Sequence, residues 1–590
     1  AGGGEPDRLP TDRTLDRRRF LSRMSALTAA AVGGGLAPDL LGADEPRRSA
    51  SSSGVLSGQQ VPPGPSVAIP TSLEELTLAE AARLIRDREV SPLELLDAYL
   101  ARIEAHDSVY MAFNTVIPEL SRERARGIGD AEYQGPLHGI PIAVKDNFYT
   151  AGILTTANSH LFQIFVPTYD ATAWARLKDG GAVLVGKTQM GPLATTAATT
   201  PDGMKTTMNA WAPGDREVSP GGSSSGSATA VAARLAASST GTQTGGSITN
   251  PANAQGLTGL KPTMGRVSLH GIIPLTYTRD HPGPIARDAL DAAIMLQAMA
   301  GPDRLDPRTM GQPPLPDLVS AATPVERSGR SGLRWPTRIG LLPGYLDDTG
   351  ESDEEFEPPN DRPGRPPGDE PSRASQVARG AERRRIRREA EVAARRAMVD
   401  RFRELGAEIV EVALPDDWEV LTSRAFNNVR LPERSEPFLE HLRRDVRDFG
   451  VSLSPWINGL LLPGAEYLRG QRARMLLLER VLDGIFDQCD VVVQTQPFPF
   501  DMIGLPLIGF PIGFEEESAG TPLPMGAMLG GQPWAEDRLL SVVAGYQAVT
   551  DWHRRRPEDP DRAQGPGGEG PPQPPDRGRI DASDVMDLAE

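Results

Sequence analysis

The chain has 590 residues, 39% hydrophobic and 24% charged, with a formal net charge of −17. Its length is enough to bury one large core or two modest ones, and its acidity excludes nucleic acid as a partner, since that affinity rests on Lys and Arg neutralising phosphates. A single cysteine, Cys489, excludes an internal disulfide and any multi-cysteine metal site.

Residues 1 to 43 contain Arg17-Arg18-Arg19-Phe20-Leu21, then a weakly apolar run rich in Ala and Gly. The arrangement resembles a bacterial twin-arginine export signal, which implies folded cargo delivered to the periplasm or the exterior. The run from Ala26 to Ala37 is too short and glycine-rich to span a bilayer, so no stable membrane anchor is expected once the signal is cleaved. Residues 44 to 70 carry no hydrophobic period and read as a disordered linker. The fold is expected to begin at Thr71. Apolar residues at helical spacing then predict two helices, the second opening at Ser91-Pro92 with Glu94 following. Up to about residue 345, short apolar runs ("GIPIAVKD", "AVLVGK", "RIGLL") alternate with helical segments such as "DATAWARLKD", the pattern of an α/β fold with a mixed or parallel sheet. The acidic, proline-rich stretch 347–374 reads as a disordered insertion in one domain. Beyond it, residues 387 to 415 predict a helix, a stop at Gly406 and a strand. A helical region follows, then strands at "CDVVVQTQP" and "GLPLIGFPIGF". The domain is expected to span residues 71–553, with a disordered Pro/Gly-rich tail over 554–590.

Two motif matches fail on context. Gly181 to Thr188 fits a phosphate-binding loop, but "AVLV" has strand character and Pro192 sits where the helix should be established. Gly222-Ser223-Ser224-Ser225-Gly226 fits a nucleophile elbow, yet the preceding "APGDREVSPG" is turn chemistry rather than a strand. A third constellation remains. "PGGSSSGSATAVAARLAA" is a Gly/Ser loop entering an alanine-rich helix that can pack in an interior. "GTQTGGSITNPAN" follows, with glycines that let backbone N–H groups approach a ligand. Lys145 ends the apolar run "GIPIAVK". Burial there, beside serine hydroxyls, predicts a depressed pKa and a neutral amine able to act as a base. Taken singly, Lys145 is a surface lysine after a strand, Ser223 a turn serine and Ser247 a helix N-cap.

Taken together, "GIPIAVKDNF", "GAVLVGKT", "SPGGSSSGSATAVAA", "GTQTGGSI..PA" and the segment beginning "GLTGLKPTMGRVSLHGIIPL" resemble the amidase signature family over roughly residues 71 to 553. The resemblance implies a single domain whose mixed β-sheet is covered by helices on both faces. It also implies a Ser-cisSer-Lys triad in which Ser247 attacks an amide carbonyl, Ser223 in a cis peptide relays the proton and neutral Lys145 receives it. The N–H groups of Thr244, Gly245, Gly246 and Ser247 would form the oxyanion hole, with Ser224 a supporting hydroxyl. No metal and no organic cofactor is implied, and the partner expected is a small-molecule amide.

Where the family usually has Asp and Arg, this chain has Gln243 and Thr249. Both charges are absent together, so a neutral Gln/Thr arrangement is expected to replace the pair without leaving a lone buried charge. Two other readings stand beside an amidase: a degenerate amidase fold that only binds, and an amidotransferase A-type subunit, which the export signal and acidic chain fit poorly. As the equivalent region does in the family, residues 425 to 475 are expected to cover the acyl pocket, and Phe426, Trp456 and Leu460 either point to an apolar or aromatic acyl group or, as is more frequent at helical spacing, belong to the core.

Overall fold

The computed structural model describes residues 68–327, 329–347, 370–515 and 522–560. The twin-arginine segment, the linker to residue 67, most of the expected insertion and the chain beyond 560 lie outside them. The capping pattern read at Ser91 occurs twice. Thr77 Oγ1 accepts the Glu80 N–H at 3.2 Å and Glu80 Oε2 accepts the Thr77 N–H at 2.9 Å, opening the helix Leu78–Arg86. Ser91 and Glu94 repeat the exchange before the helix Pro92–Tyr110. Each pair satisfies amide donors that a helix start leaves without partners.

Among the described residues thirteen strands follow in chain order: β1 Phe113–Val116, β2 Pro141–Lys145, β3 Val183–Thr188, β4 Ser238–Gln243, β5 Thr258–Lys261, β6 His281–Ala286, β7 Val325–Arg327, β8 Arg330–Gly332, β9 Arg338–Leu341, β10 Glu408–Glu411, β11 Val491–Gln494, β12 Leu507–Phe514 and β13 Pro524–Gly531. Eleven form one sheet in the order β1-β3-β2-β4-β6-β5-β12-β13-β11-β9-β10, while β7 and β8 pair apart. The runs β3-β2-β4 and β11-β9-β10 are parallel. The remaining neighbours are antiparallel, so the sheet is mixed.

Alternate residues of β2 serve opposite faces. Ile142 and Val144 join an apolar cluster with residues of the helices Leu78–Arg86, Ala289–Met299 and Glu536–Gln547. Ala143 joins another, with residues of Pro92–Tyr110 and Ser225–Ala232. Helices therefore cover both faces, and a strand buried on both sides reads as the unbroken apolar run seen in β2 and β3.

The described chain departs from two expected boundaries. The helix Glu370–Glu404 begins inside the stretch 347–374 read as disordered. Met398, Val399 and Phe402 are fully buried, and a helix anchored there extends backwards at one backbone hydrogen bond per residue fixed. The chain also remains ordered past residue 553, where Arg102 meets Asp559 at 2.6 Å and Arg556 meets Glu75 at 2.7 Å. Gly406 stops the helix with φ of 92°, as its position predicted. No helix among the described residues is long and apolar enough to cross a membrane.

Candidate functional site

The parallel strands β3, β2 and β4 end on one edge, and the site lies there, where open α/β sheets commonly place ligands. Lys145 is the last residue of β2 and is completely buried. Its Nζ lies 2.8 Å from Ser223 Oγ, 2.9 Å from Ser224 Oγ and 2.8 Å from Thr242 Oγ1. All three contacts are neutral. Burial therefore pushes the ammonium pKa down from 10.5 to about 7, opposed only by the more distant carboxylate of Asp280. A lysine that titrates near neutrality offers a lone pair to a hydroxyl proton.

The Gly222–Ser223 peptide is cis, and Ser223 O accepts the Gly191 N–H at 3.0 Å. Gly222 is required by packing, since a Cβ there would come 2.5 Å from Ala197 Cα. The following helix, Ser225–Ala232, is built from small residues and all eight are buried, which brings the serine loop up against the sheet. Ser247 lies on the turn after β4 and is 8% exposed. The structure therefore joins Lys145 directly to Ser223 and Ser224. Among the described residues Ser247 Oγ makes no hydrogen bond to Ser223, and such contacts commonly tighten only when substrate binds.

The loop Thr244–Ser247 requires a correction. Gly246 N–H, expected among the oxyanion donors, instead donates to Asp501 Oδ2 at 2.8 Å. The amides of Thr244, Gly245 and Ser247 have no acceptor among the described residues. Thr244 is pinned twice, its hydroxyl donating to Asp280 and its carbonyl accepting from Arg279 Nη2 at 3.1 Å. Gly246 has φ of 91°, and a Cβ there would fall 2.4 Å from Asn250 Nδ2.

Gln243 and Thr249 do meet. Gln243 Oε1 accepts the N–H groups of Ile248 and Thr249 at 2.8 and 2.9 Å and the Thr249 hydroxyl at 3.2 Å. The expectation of a wholly neutral replacement is corrected on the amide's other side, where Gln243 Nε2 donates to Asp501 Oδ1 at 2.9 Å. Asp501 faces Lys261 Nζ at 3.7 Å, both completely buried. Charge is present here, supplied by residues outside the motif. Burial pushes the Asp501 carboxyl up and the Lys261 amine down to about 8, and each opposes the other's shift. Sequence reasoning missed Asp501, although a lone carboxylate inside "FPFDMI" was a signal for a buried, partnered charge.

The rejected motifs resolve as the context indicated. Gly181 to Thr188 runs into β3, and Lys187 Nζ is consumed by Phe148 O, Thr155 Oγ1 and Asp146. No strand leads into the Ser223 loop, which meets Ala197 through an isolated bridge at Gly222. The nearest histidine in the sheet, His281, faces the Gln243 carbonyl at 3.3 Å rather than a hydroxyl, and burial holds its pKa well below 6.5. The three residues expected to line an acyl pocket are not brought together. Trp456 is buried with Phe438 and Phe449, Phe426 packs against a separate cluster, and Leu460 is 43% exposed.

The family model described as Amidase matches residues 94–343. The A-type subunit of the glutamyl-tRNA(Gln) amidotransferase of Roseiflexus sp. (strain RS-1) is 34% identical, over 83% of this chain and 99% of its own. Its counterpart from Methylococcus capsulatus is also 34% identical, over 82% and 98%. Among solved structures, the native peptide amidase from Stenotrophomonas maltophilia superposes with a TM-score of 0.65 at 27% identity, covering 83% of this chain and 99% of that one.

Proposed function

The chain belongs to the amidase signature family, and from that premise we propose that it hydrolyses a linear carboxamide or aryl amide through an acyl-serine on Ser247. The observation that carries this reading is the Lys145 amine, buried among neutral hydroxyls and 2.8 Å from Ser223 Oγ. As Ser247 Oγ attacks the carbonyl carbon, its proton passes to Ser223, and Ser223's own proton passes to neutral Lys145. The oxyanion is met by the free N–H groups of Thr244, Gly245 and Ser247, each such donor worth about 3 kcal/mol. Reversal of the relay protonates the leaving amine, the C–N bond breaks, and water releases the acid from Ser247.

The test is ammonia or amine release from aliphatic amides, aryl amides and C-terminally amidated peptides, with Ser247→Ala and Lys145→Ala as controls. Activity lost in both variants supports the reading. A folded wild type that releases no more than Ser247→Ala across the panel contradicts it and brings a binding role forward. The Roseiflexus and Methylococcus relatives favour one other reading, an amidotransferase A-type subunit. That reading requires amide hydrolysis confined to glutamine and dependent on further subunits.

A further inference from the structure

Two glycines give the turn Thr244–Ser247 more conformations than one site needs, since Gly245 meets nothing within 4 Å of where a Cβ would stand and Gly246 adopts φ of 91°. Groups outside the turn must select one of them. Asp501, in the helix Phe498–Ile503, is completely buried. Its Oδ2 accepts the Gly246 N–H at 2.8 Å and its Oδ1 accepts Gln243 Nε2 at 2.9 Å. The other end of the Gln243 amide accepts the N–H groups of Ile248 and Thr249. Ser247 therefore stands between two held amides, Gly246 by Asp501 itself and Ile248 by Gln243, which Asp501 orients.

The holding group is itself fixed. Phe500, one residue before it, is buried against Gly530, where a Cβ would fall 2.2 Å from the ring. Met502 O accepts Arg474 Nε at 2.6 Å, and Leu505 O accepts Lys261 Nζ. Lys261 ends β5, and its Nζ lies 3.7 Å from Asp501 Oδ1. The two side chains together add no net charge beside the turn, so the carboxylate can fasten it without setting an uncompensated negative charge against an oxyanion formed there. Two N–H donors and an ammonium all face this one side chain. A neutral amide in its place has one acceptor oxygen and would turn its NH2 toward one of them.

We propose that Asp501 is a positioning residue for Ser247: balanced by Lys261, it holds Gly246 directly and residues 248–249 through Gln243, so that the nucleophile and the free amides of Thr244, Gly245 and Ser247 keep one geometry before an amide arrives. It touches neither the substrate nor the reacting atoms. Such preorganisation acts on the transition state more than on the bound substrate, so its loss lowers kcat rather than raising KM. What the turn does rests on the amidase reading above, whereas the clamp on the turn does not.

The test compares full-length wild type with Asp501→Asn in two measurements. Hydrogen exchange of residues 243–250, read by mass spectrometry, is expected to quicken roughly 10- to 100-fold in the variant while that of β2 keeps its rate. For whichever amide of the panel wild type hydrolyses fastest, kcat is expected to fall roughly 10- to 100-fold with KM within about threefold of wild type. Unchanged exchange of the turn, unchanged kcat, or a loss carried by KM alone overturns the proposal, and a lower thermal midpoint does not rescue it. If Asp501→Asn does not fold, Gln243→Met decides: it frees Ile248 and Thr249 without adding charge, and exchange of the turn at the wild-type rate overturns the clamp. Wild-type hydrolysis separates the two claims. Cleavage by wild type with kcat kept in Asp501→Asn leaves the amidase and removes the positioning role. Faster exchange in the variant, with no amide cleaved by wild type, leaves the clamp and removes the amidase.

Discussion

Lys145 and Lys187 stand on adjacent parallel strands, with Lys145 opposite Thr188 and Lys187 opposite Val144. Both are completely buried, yet their surroundings differ. Lys187 Nζ lies 3.2 Å from Asp146 Oδ1 and donates to Phe148 O at 2.9 Å and Thr155 Oγ1 at 2.6 Å. Lys145 Nζ bonds only oxygens of Ser223, Ser224 and Thr242 among the described residues. Burial lowers the pKa of both, but at Lys187 the negative charge of Asp146 opposes it from 3.2 Å. At Lys145 the sole opposing charge, Asp280, makes no contact. Burial alone therefore does not prepare a base; burial without a touching carboxylate does.

The largest effects should separate the two lysines outright. Lys145→Ala, like Ser247→Ala, is expected to lower amide hydrolysis by about 10³-fold or more with the fold kept. Lys187→Ala leaves Asp146 buried and uncompensated, and is expected to cost about 3–5 kcal/mol of stability by chemical denaturation. If Lys187→Ala folds as well as Lys145→Ala, the contrast breaks. Ser224→Asp would give Lys145 the kind of partner Lys187 has. Activity at pH 7 should fall roughly 10- to 100-fold and partly return at higher pH, because a touching carboxylate favours the ammonium.

A smaller effect is expected at the motif's altered pair. Gln243→Asp would set a second carboxylate against Asp501 and lose the amide donor between them, costing about 1–3 kcal/mol. The double variant Gln243→Asp/Thr249→Arg should gain neither yield nor activity, and a many-fold gain in either would count against Asp501 as the residue that has taken over this position. Smallest is Asp280→Asn. Removing the charge that favours the Lys145 ammonium should move the acid limb of the pH–rate profile below about 7, whereas a shift upward would reverse the assigned sign.

Much of this was legible locally. β2 and β3 read as strands because both faces of the sheet are covered, and Lys145, Ser223 and Ser247 stood out because each lies in a compact motif. β4 was not legible, since "SSTGTQ" is polar throughout. It is buried nonetheless because its hydroxyls find backbone partners, Ser238 Oγ on Ile285 O and Ser239 Oγ on Ala143 O, both at 2.9 Å. Pro282 and Pro284 argue against a central strand, yet β6 pairs with both β4 and β5. For Asp501 the sequence signalled a buried, partnered charge but not its partner. Asp501 lies 255 residues from the Gly246 amide it receives, a distance along the chain that no local pattern bridges.

The most direct measurement is the pH dependence of Ser247 acylation by an activated acyl reagent, read as mass added at that residue. The account predicts that modification falls on Ser247 and that its rate rises through about pH 7 to a plateau as Lys145 loses its proton, with the rise absent in Lys145→Ala. Modification elsewhere, or a Ser247 rate flat from roughly pH 5 to 9, would contradict a neutral Lys145 as the base.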